Sequence, residues 1–244
     1  MFLSILYYIV LILFLIVYGI FISLVWLLTV WWDKKKRIIA ATTYVHSMML
    51  FWLSPGWKIK VQGRENYDRR RPYVMISNHQ GMFDIPLIYA IRPNTRWVAK
   101  RELIKMPFVG HALLIHGDIL IRRGEASSAR LMLKKAKAEL EKGVSVTIFP
   151  EGTRLKSGKM NRFHEGAFLL AKMAGVEILP VALDGTANAF EGWKQIRPHT
   201  FKLHVLPPIP VETVRNTGVR ELSDLAREMI LTEHRTMRPD LYQE

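Results

Sequence analysis

The 244-residue sequence contains no cysteine, which excludes disulfide bonds, thiolate metal sites and a cysteine acyl-enzyme. It also lacks a G-x-S-x-G nucleophile elbow. The phosphate-loop pattern fails because Gly152 and Gly158 are separated by five residues and Lys159 is followed by Met160. The eight histidines show no H-E-x-x-H or other clustered ligand spacing. The sequence therefore predicts no metal site and no bound cofactor.

Charged residues are absent from the first 32 positions. A straight helix of that length would reach roughly 48 Å, which exceeds the ~30 Å hydrocarbon core of a bilayer. A secretory signal peptide fits badly, since no positive segment precedes the run and no small-residue cleavage site closes it. We expect one membrane-embedded helix that is retained. Three arrangements of this segment stay open: a tilted span, a helix that emerges into the interface, and a re-entrant hairpin broken near Gly19. The basic cluster Lys34–Arg37 predicts a cytoplasmic end for this helix.

A second apolar stretch covers residues 38–53 and includes several polar side chains. It is typical of an interfacial helix, with Trp52 and Trp57 near the headgroups. The alternative is a core helix of a soluble domain. The sequence thus predicts membrane-anchoring helices in residues 1–55 and a catalytic α/β domain in residues 56–244.

The formal net charge of +14 indicates an anionic partner. Nucleic acid, an anionic membrane surface and a phosphorylated substrate all satisfy that condition. The basic residues are spread along the chain rather than gathered into a recognised nucleic-acid module. Together with the apolar first segment, this distribution favours the bilayer and a phosphorylated ligand over nucleic acid.

Short apolar runs alternate with helical segments after Gly56. Seven runs rich in β-branched and aromatic residues predict strands. They are Lys58–Val61, Tyr73–Ser77, Trp97–Ala99, Ile119–Arg122, Val144–Phe149, Ile178–Leu183 and Phe201–Leu206. The clearest helices are Ser128–Lys142 and Glu165–Ala174, each followed by glycine. This alternation predicts an α/β fold with a mostly parallel sheet flanked by helices.

Three polar clusters follow predicted strands at their carboxyl ends. His79 follows the strand 73–77, Arg123 follows 119–122, and Glu151-Gly152-Thr153-Arg154 follows 144–149. Ligands of such sheets usually bind beyond the carboxyl ends of the strands. The three clusters are therefore expected to converge on one face.

His79 and Asp84 lie five residues apart and allow two interpretations. In the first, Asp84 only caps a helix that has proline in its first turn. In the second, the carboxylate binds one imidazole nitrogen while the other nitrogen accepts a substrate proton. A carboxylate has two oxygens, so both roles can coexist.

The stretch that starts at Glu151 is also ambiguous. It is either an exposed turn that uses the backbone freedom of Gly152, or a phosphate site in which Arg154 offers a planar fork of donors. Glu151 would then accept hydrogen bonds. Three further basic residues add positive charge nearby: Lys156, Lys159 and Arg162.

Taken in order, these motifs resemble those of the glycerolipid acyltransferases, in particular bacterial 1-acyl-glycerol-3-phosphate acyltransferases, over roughly residues 57–210. The matching stretches are His79 to Asp84, Gly117 to Arg123, Phe149 to Arg154, Leu179-Pro180-Val181, and Lys100-Arg101-Glu102. Two departures stand out. Gly81 occupies a position where the family often has serine, and His164-Glu165 stand where it often has two lysines.

The resemblance implies acyl transfer from an acyl thioester, carried by acyl carrier protein or coenzyme A, to the free sn-2 hydroxyl of lysophosphatidate. It implies that His79 is the general base and that Asp84 orients it. The residues implied in substrate binding are Lys100, Gly117, Arg123, Glu151, Gly152, Thr153, Arg154 and Pro180. The implied location is the cytoplasmic face of the inner membrane. Two alternatives stay open: another lysolipid acceptor, suggested by the departures, and a non-catalytic binder of anionic lipids.

Overall fold

A computed structural model describes residues 2–153, 160–187 and 198–242. The α-helices within these ranges are α1 (Phe2–Thr29), α2 (Arg37–Trp52), α3 (Asp84–Ile88), α4 (Val109–His116), α5 (Ala126–Glu141), α6 (Gly166–Ala174), α7 (Val211–Asn216) and α8 (Val219–Met237). The strands are β1 (Trp57–Gln62), β2 (Val74–Ser77), β3 (Thr95–Lys100), β4 (Ile119–Ile121), β5 (Ser145–Ile148), β6 (Ile178–Asp184) and β7 (His199–Val205). All seven predicted strands and both predicted helices are present.

The seven strands form one sheet in the order β1-β7-β6-β2-β5-β3-β4. The strands β6, β2, β5, β3 and β4 run parallel to one another. In contrast, β7 is antiparallel to β6 and parallel to β1. The expected mostly parallel sheet is therefore confirmed, and β2, the strand that ends just before His79, occupies its centre.

Helices cover both faces of this sheet, which explains why its central strands are almost entirely apolar. Val74 and Ile76 of β2 pack in the core cluster formed with α5, α6 and α8. Met75, between them, packs in the cluster on the other face, with α2 and α3. The alternation follows from the two-residue period of a strand. The strand ends are thus the places where polar side chains can gather.

The first helix, α1, exposes large apolar side chains along its length. Val17 is 63% exposed, Leu24 54% and Leu28 73%. The 24 residues Leu6–Thr29 are long and apolar enough to cross a membrane, judged by length and composition. The helix therefore indicates membrane association, while its spanning stays a prediction.

The second helix, α2, packs one face into the core, and its placement at a membrane interface stays a prediction. The expectation that Trp57 lies near the headgroups is wrong, since Trp57 is 9% exposed and belongs to the same core cluster. Leu50 and Phe51 belong to a core cluster of the α/β unit, and the Phe51 ring lies 4.8 Å from that of Phe201. The neighbouring Trp52 is 82% exposed. One side of α2 is therefore a core face, and its other side presents apolar surface next to α1.

Candidate active site

His79 lies in the turn after β2, and its Nδ1 is 2.6 Å from Oδ2 of Asp84. The Asp84 side chain is fully buried, whereas that of His79 is 19% exposed. An ionised carboxylate only accepts hydrogen bonds, so Nδ1–H is the donor in this pair. The lone pair of Nε2 is consequently free to take up a proton.

Several further donors fix the carboxylate of Asp84. Its Oδ2 accepts the backbone N–H of Gln80 at 2.7 Å and that of Gly81 at 3.0 Å. Its Oδ1 accepts a hydrogen bond from the hydroxyl of Thr186. The capping interpretation of Asp84 is wrong, since Asp84 is the first residue of α3 and its two backbone donors, Gln80 and Gly81, precede it in the chain. A cap accepts from N–H groups two or three residues later.

The turn at Gly81 approaches the loop after β6 very closely. A Cβ atom at this position would lie 2.1 Å from the carbonyl oxygen of Thr186. The Cβ atom would be bonded to the backbone of residue 81, and the oxygen belongs to the backbone of Thr186, so neither can rotate away. A serine or an alanine therefore fits only if the backbone shifts. The departure from the family pattern at Gly81 is therefore explained by packing.

An aromatic wall supports the imidazole ring. The rings of His79 and Phe149 stack with centroids 4.1 Å apart and planes 16° apart. Trp97 lies behind Phe149 at 5.6 Å. Phe149 follows β5 directly, and β5 is paired with β2, so the sheet itself places the wall beside the histidine.

Glu151 joins the turns that follow β2 and β5. Its side chain is buried, its Oε1 accepts the backbone N–H of His79 at 2.8 Å, and its Oε2 accepts that of Asn161 at 2.7 Å. Burial raises the pKa of the Glu151 carboxyl, and the two N–H donors offset part of that effect. Two of the three polar clusters expected to converge, those of His79 and Glu151, are in direct contact.

The turn after Glu151 depends on Gly152, which has φ +70°. Its N–H donates to the carbonyl of Phe149 at 3.0 Å, and a Cβ there would lie 3.1 Å from the His164 ring. Thr153 is exposed. The predicted phosphate ligand Arg154, together with Lys156 and Lys159, lies outside the described residues.

Two other predicted binding residues lie at the same edge of the sheet but further along it. Lys100 ends β3 and Arg123 follows β4, and both are exposed. In the sheet order, β3 is two places from β2 and β4 is three. The structure therefore does not bring them into contact with His79.

Gly117 and Pro180 lie away from the turn of His79. Gly117 precedes β4 and so sits at the opposite edge of the sheet, where it ends α4 with φ +72°. A Cβ on Gly117 would meet only the flexible end of the Lys36 side chain, so the positive φ rather than packing favours glycine here. Pro180 is buried within β6 and is paired with Ile76 of β2. Pro180 is therefore level with Ile76 in the sheet rather than with the turn of His79.

The carboxyl-terminal helix α8 also reaches the site. Nε2 of Gln80 donates to Nε2 of His234 at 2.7 Å, and Nδ1 of His234 pairs with the hydroxyl of Tyr242 at 2.8 Å. The amide nitrogen of Gln80 can only donate, so Nε2 of His234 is the acceptor, and burial lowers the pKa of His234. Sequence reasoning missed this helix, although its buried apolar residues recur at helical spacing at Leu222, Ala226 and Ile230.

Comparison with known proteins identifies the family that the chain resembles. The family model described as "Acyltransferase" matches residues 58–184. A 1-acyl-sn-glycerol-3-phosphate acyltransferase of Borreliella burgdorferi is 32% identical over 195 residues, which cover 77% of this chain and 75% of that protein. The chain belongs to the acyltransferase family. The resemblance carried by the motifs is thereby confirmed.

Other relatives extend the match. The human 1-acyl-sn-glycerol-3-phosphate acyltransferase alpha is 32% identical over 188 residues, covering 76% of this chain and 66% of that protein. A Chlamydomonas reinhardtii enzyme named for the same activity is 30% identical over 205 residues, covering 81% of this chain and 59% of that protein. This acyltransferase thus spans less than two thirds of the length of some of its curated relatives.

A solved structure matches nearly the whole chain. The 1-acyl-sn-glycerophosphate acyltransferase PlsC of Thermotoga maritima superposes with a TM-score of 0.79 at 25% identity, covering 97% of this chain and 95% of that one. The match includes the helices before the sheet as well as the α/β unit. It confirms the predicted fold class.

Proposed function

We propose that this acyltransferase moves a fatty acyl group from an acyl thioester to the free sn-2 hydroxyl of lysophosphatidate and thereby forms phosphatidate. The observation that carries the proposal is the His79–Asp84 pair, in which a buried carboxylate holds Nδ1 and leaves Nε2 free. The relatives named for this activity support the choice of acceptor. The donor is an acyl thioester of acyl carrier protein or of coenzyme A.

In the proposed reaction, Nε2 of His79 takes the proton of the acceptor hydroxyl while its oxygen attacks the thioester carbonyl carbon. The C–O ester bond forms, the C–S bond breaks, and the departing thiolate receives the proton from the imidazolium. The carboxylate of Asp84 stabilises the imidazolium during this exchange. The acyl group passes directly to the acceptor, so a covalent acyl-enzyme is not required.

Glu151 supports this chemistry from behind the histidine. Its two oxygens accept the backbone N–H groups of His79 and Asn161. Arg154 would bind the acceptor phosphate with its guanidinium fork, aided by the exposed Arg123 and Lys100. Glu151 is thus a positioning residue that holds the backbone of the base.

The membrane association of α1 fits these substrates. Lysophosphatidate and phosphatidate are bilayer lipids, and moving an acyl chain into water costs ~0.8 kcal/mol per CH₂. A site at the membrane surface avoids that cost. We place residues 1–55 as the anchor, residues 56–244 as the catalytic domain, and the site at the cytoplasmic face of the inner membrane, in line with the basic cluster Lys34–Arg37.

The test is acyl transfer from a labelled thioester to lysophosphatidate by the purified protein in bilayers, with both carriers supplied in turn. His79→Ala should lower the rate by at least ~10²-fold, the usual contribution of a positioned base. His111→Ala, which removes an exposed histidine of α4, serves as the matched control and should keep the wild-type rate.

Thermal unfolding of both variants shows whether each is folded. Wild-type turnover by folded His79→Ala would disprove the role of the base. No product from folded wild-type protein with either carrier would disprove transfer to lysophosphatidate. Clear preference for another lysolipid in a competition assay would replace the acceptor while keeping the chemistry.

A further inference from the structure

A cavity of about 600 Å³, lined in part by arginines, lies at the opposite edge of the sheet from His79. It is bounded by the first turns of α2 and by the residues that lead into β2, β3 and β5. Because these strands are parallel, their amino ends share one edge and their carboxyl ends the other. Even a four-residue strand separates the edges by roughly 13 Å. The cavity is therefore distinct from the candidate active site.

Arginine dominates the lining of this cavity. The five arginines are Arg37, Arg69, Arg70, Arg71 and Arg92, and no acidic side chain of the described residues lines it. Arg71 pairs with Glu177 at 3.0 Å, outside the cavity lining. Arg92 donates to the hydroxyl of Tyr44 at 2.9 Å, with its guanidinium 4.1 Å from the centre of that ring. Two of the five side chains are thus held in place.

The other three arginines keep their charge uncompensated. Within the described residues, Arg37, Arg69 and Arg70 form no ion pair, and all three are exposed. The nearby Asp68 uses its carboxylate to accept the backbone N–H of Arg70 at 2.9 Å, which shapes the turn. The cavity therefore offers several guanidinium forks to an anion, the geometry that suits phosphate oxygens.

An apolar groove of about 500 Å³ adjoins the arginine cavity on the outer side of α1 and α2. Phe14, Val17 and Phe21 of α1 form one wall, and Val45 and Met49 of α2 belong to the other. The groove shares three lining residues with the cavity: Arg37, Ala41 and Val45. A cationic cavity and an apolar groove therefore meet at the beginning of α2.

We propose that the cavity and the groove together bind one anionic phospholipid of the bilayer, with its phosphate among the arginines and one acyl chain between α1 and α2. A free phosphate would satisfy the charge but leave the groove unused. A phospholipid matches both parts and their connection at Arg37. The groove also lies on the exposed apolar surface of α1, where the acyl chains of a bilayer would contact it. The inference does not depend on the proposed acyl transfer.

The experiment is native mass spectrometry of the full chain in detergent, titrated with phosphatidylglycerol and, separately, with phosphatidylcholine. The double variant Arg69→Gln/Arg70→Gln should bind phosphatidylglycerol roughly 10-fold or more weakly than the wild type. The matched control, Arg130→Gln/Lys134→Gln, removes two exposed charges from α5 and should bind it as the wild type does. Phosphatidylcholine should bind weakly throughout.

A second variant tests the groove. Ala41→Phe fills the place where the groove meets the cavity without removing charge, and it should also weaken phosphatidylglycerol binding. Unchanged binding by the arginine variant, or an equal loss in the α5 control, would overturn the proposal. So would full displacement of the lipid by glycerol 3-phosphate together with normal binding by Ala41→Phe, because that pattern describes a phosphate site alone. Thermal unfolding establishes that each variant is folded.

Discussion

The backbone N–H of His79 donates a 2.8 Å hydrogen bond to the carboxylate of Glu151, which lies 72 residues later in the chain. The second oxygen of Glu151 accepts the N–H of Asn161. One buried carboxylate thus links the turn that carries the imidazole to the backbone at Asn161. The motif that contains Glu151 therefore positions the motif that contains His79 through a hydrogen bond to its backbone.

Glu151→Gln should reduce kcat while the fold is retained. Glutamine keeps one acceptor oxygen, but its amide group faces a backbone donor that then has no acceptor, which costs about 1–3 kcal/mol. When it is added to the activation free energy, a cost of this size corresponds to a decrease of roughly 10- to 100-fold in kcat. Steady-state kinetics with lysophosphatidate would measure it. Glu212→Gln, an exposed position on α7, is the control, and equal kcat values for the two variants would contradict the positioning role.

Thr186→Val should also lower kcat, because it removes the hydroxyl that donates to Oδ1 of Asp84. Hydrogen bonds to charged groups contribute about 1.5–3 kcal/mol, so a decrease of roughly tenfold or more is expected. KM for the acceptor should stay near its wild-type value. Thr186→Ser keeps the hydroxyl and should restore turnover. A serine variant as slow as the valine variant would assign the effect to packing instead.

Gly81→Ala should destabilise the fold as well as the site. The added Cβ would lie 2.1 Å from the carbonyl oxygen of Thr186, and neither backbone can yield easily. Overpacking of this kind costs about 1–3 kcal/mol. Urea unfolding would measure the loss against Gly218→Ala, where a Cβ meets nothing within 4 Å. Equal midpoints for the two variants would show that the turn adapts.

The sequence alone predicts the strands and the joining of two polar clusters. Runs of β-branched and aromatic residues locate all seven strands, and parallel neighbours place their carboxyl ends together. That rule suffices to bring His79 and Glu151 to one edge. It also applies to Thr186, which follows β6, the other neighbour of β2. This residue could have been identified from the same rule.

Other parts of the site depend on information that spacing does not carry. The contact of His234 with Gln80 joins residues 154 positions apart and is set by the packing of α8 across the sheet. The place of Gly117, by contrast, follows from the predicted strand 119–122: it precedes that strand and so lies at the opposite edge from Arg123.

His116 predicts a specific dependence of stability on pH. This last residue of α4 is buried and its Nε2 lies 2.6 Å from the hydroxyl of Thr43. Burial, followed by the nearby charges of Arg96 and Lys36, lowers the pKa of His116 from 6.5 to about 3. The native state therefore keeps the ring neutral under conditions in which the unfolded chain binds a proton.

Stability from this group is fully present above pH 6.5 and is lost as the pH falls towards 3, with a slope of at most ~1.4 kcal/mol per pH unit. His116→Asn removes the titrating group, so its deficit in unfolding free energy relative to the wild type should shrink between pH 7 and pH 4 (~1.4 kcal/mol per unit at most). Urea unfolding across that range would measure it. Parallel curves for wild type and His116→Asn would contradict a neutral buried His116.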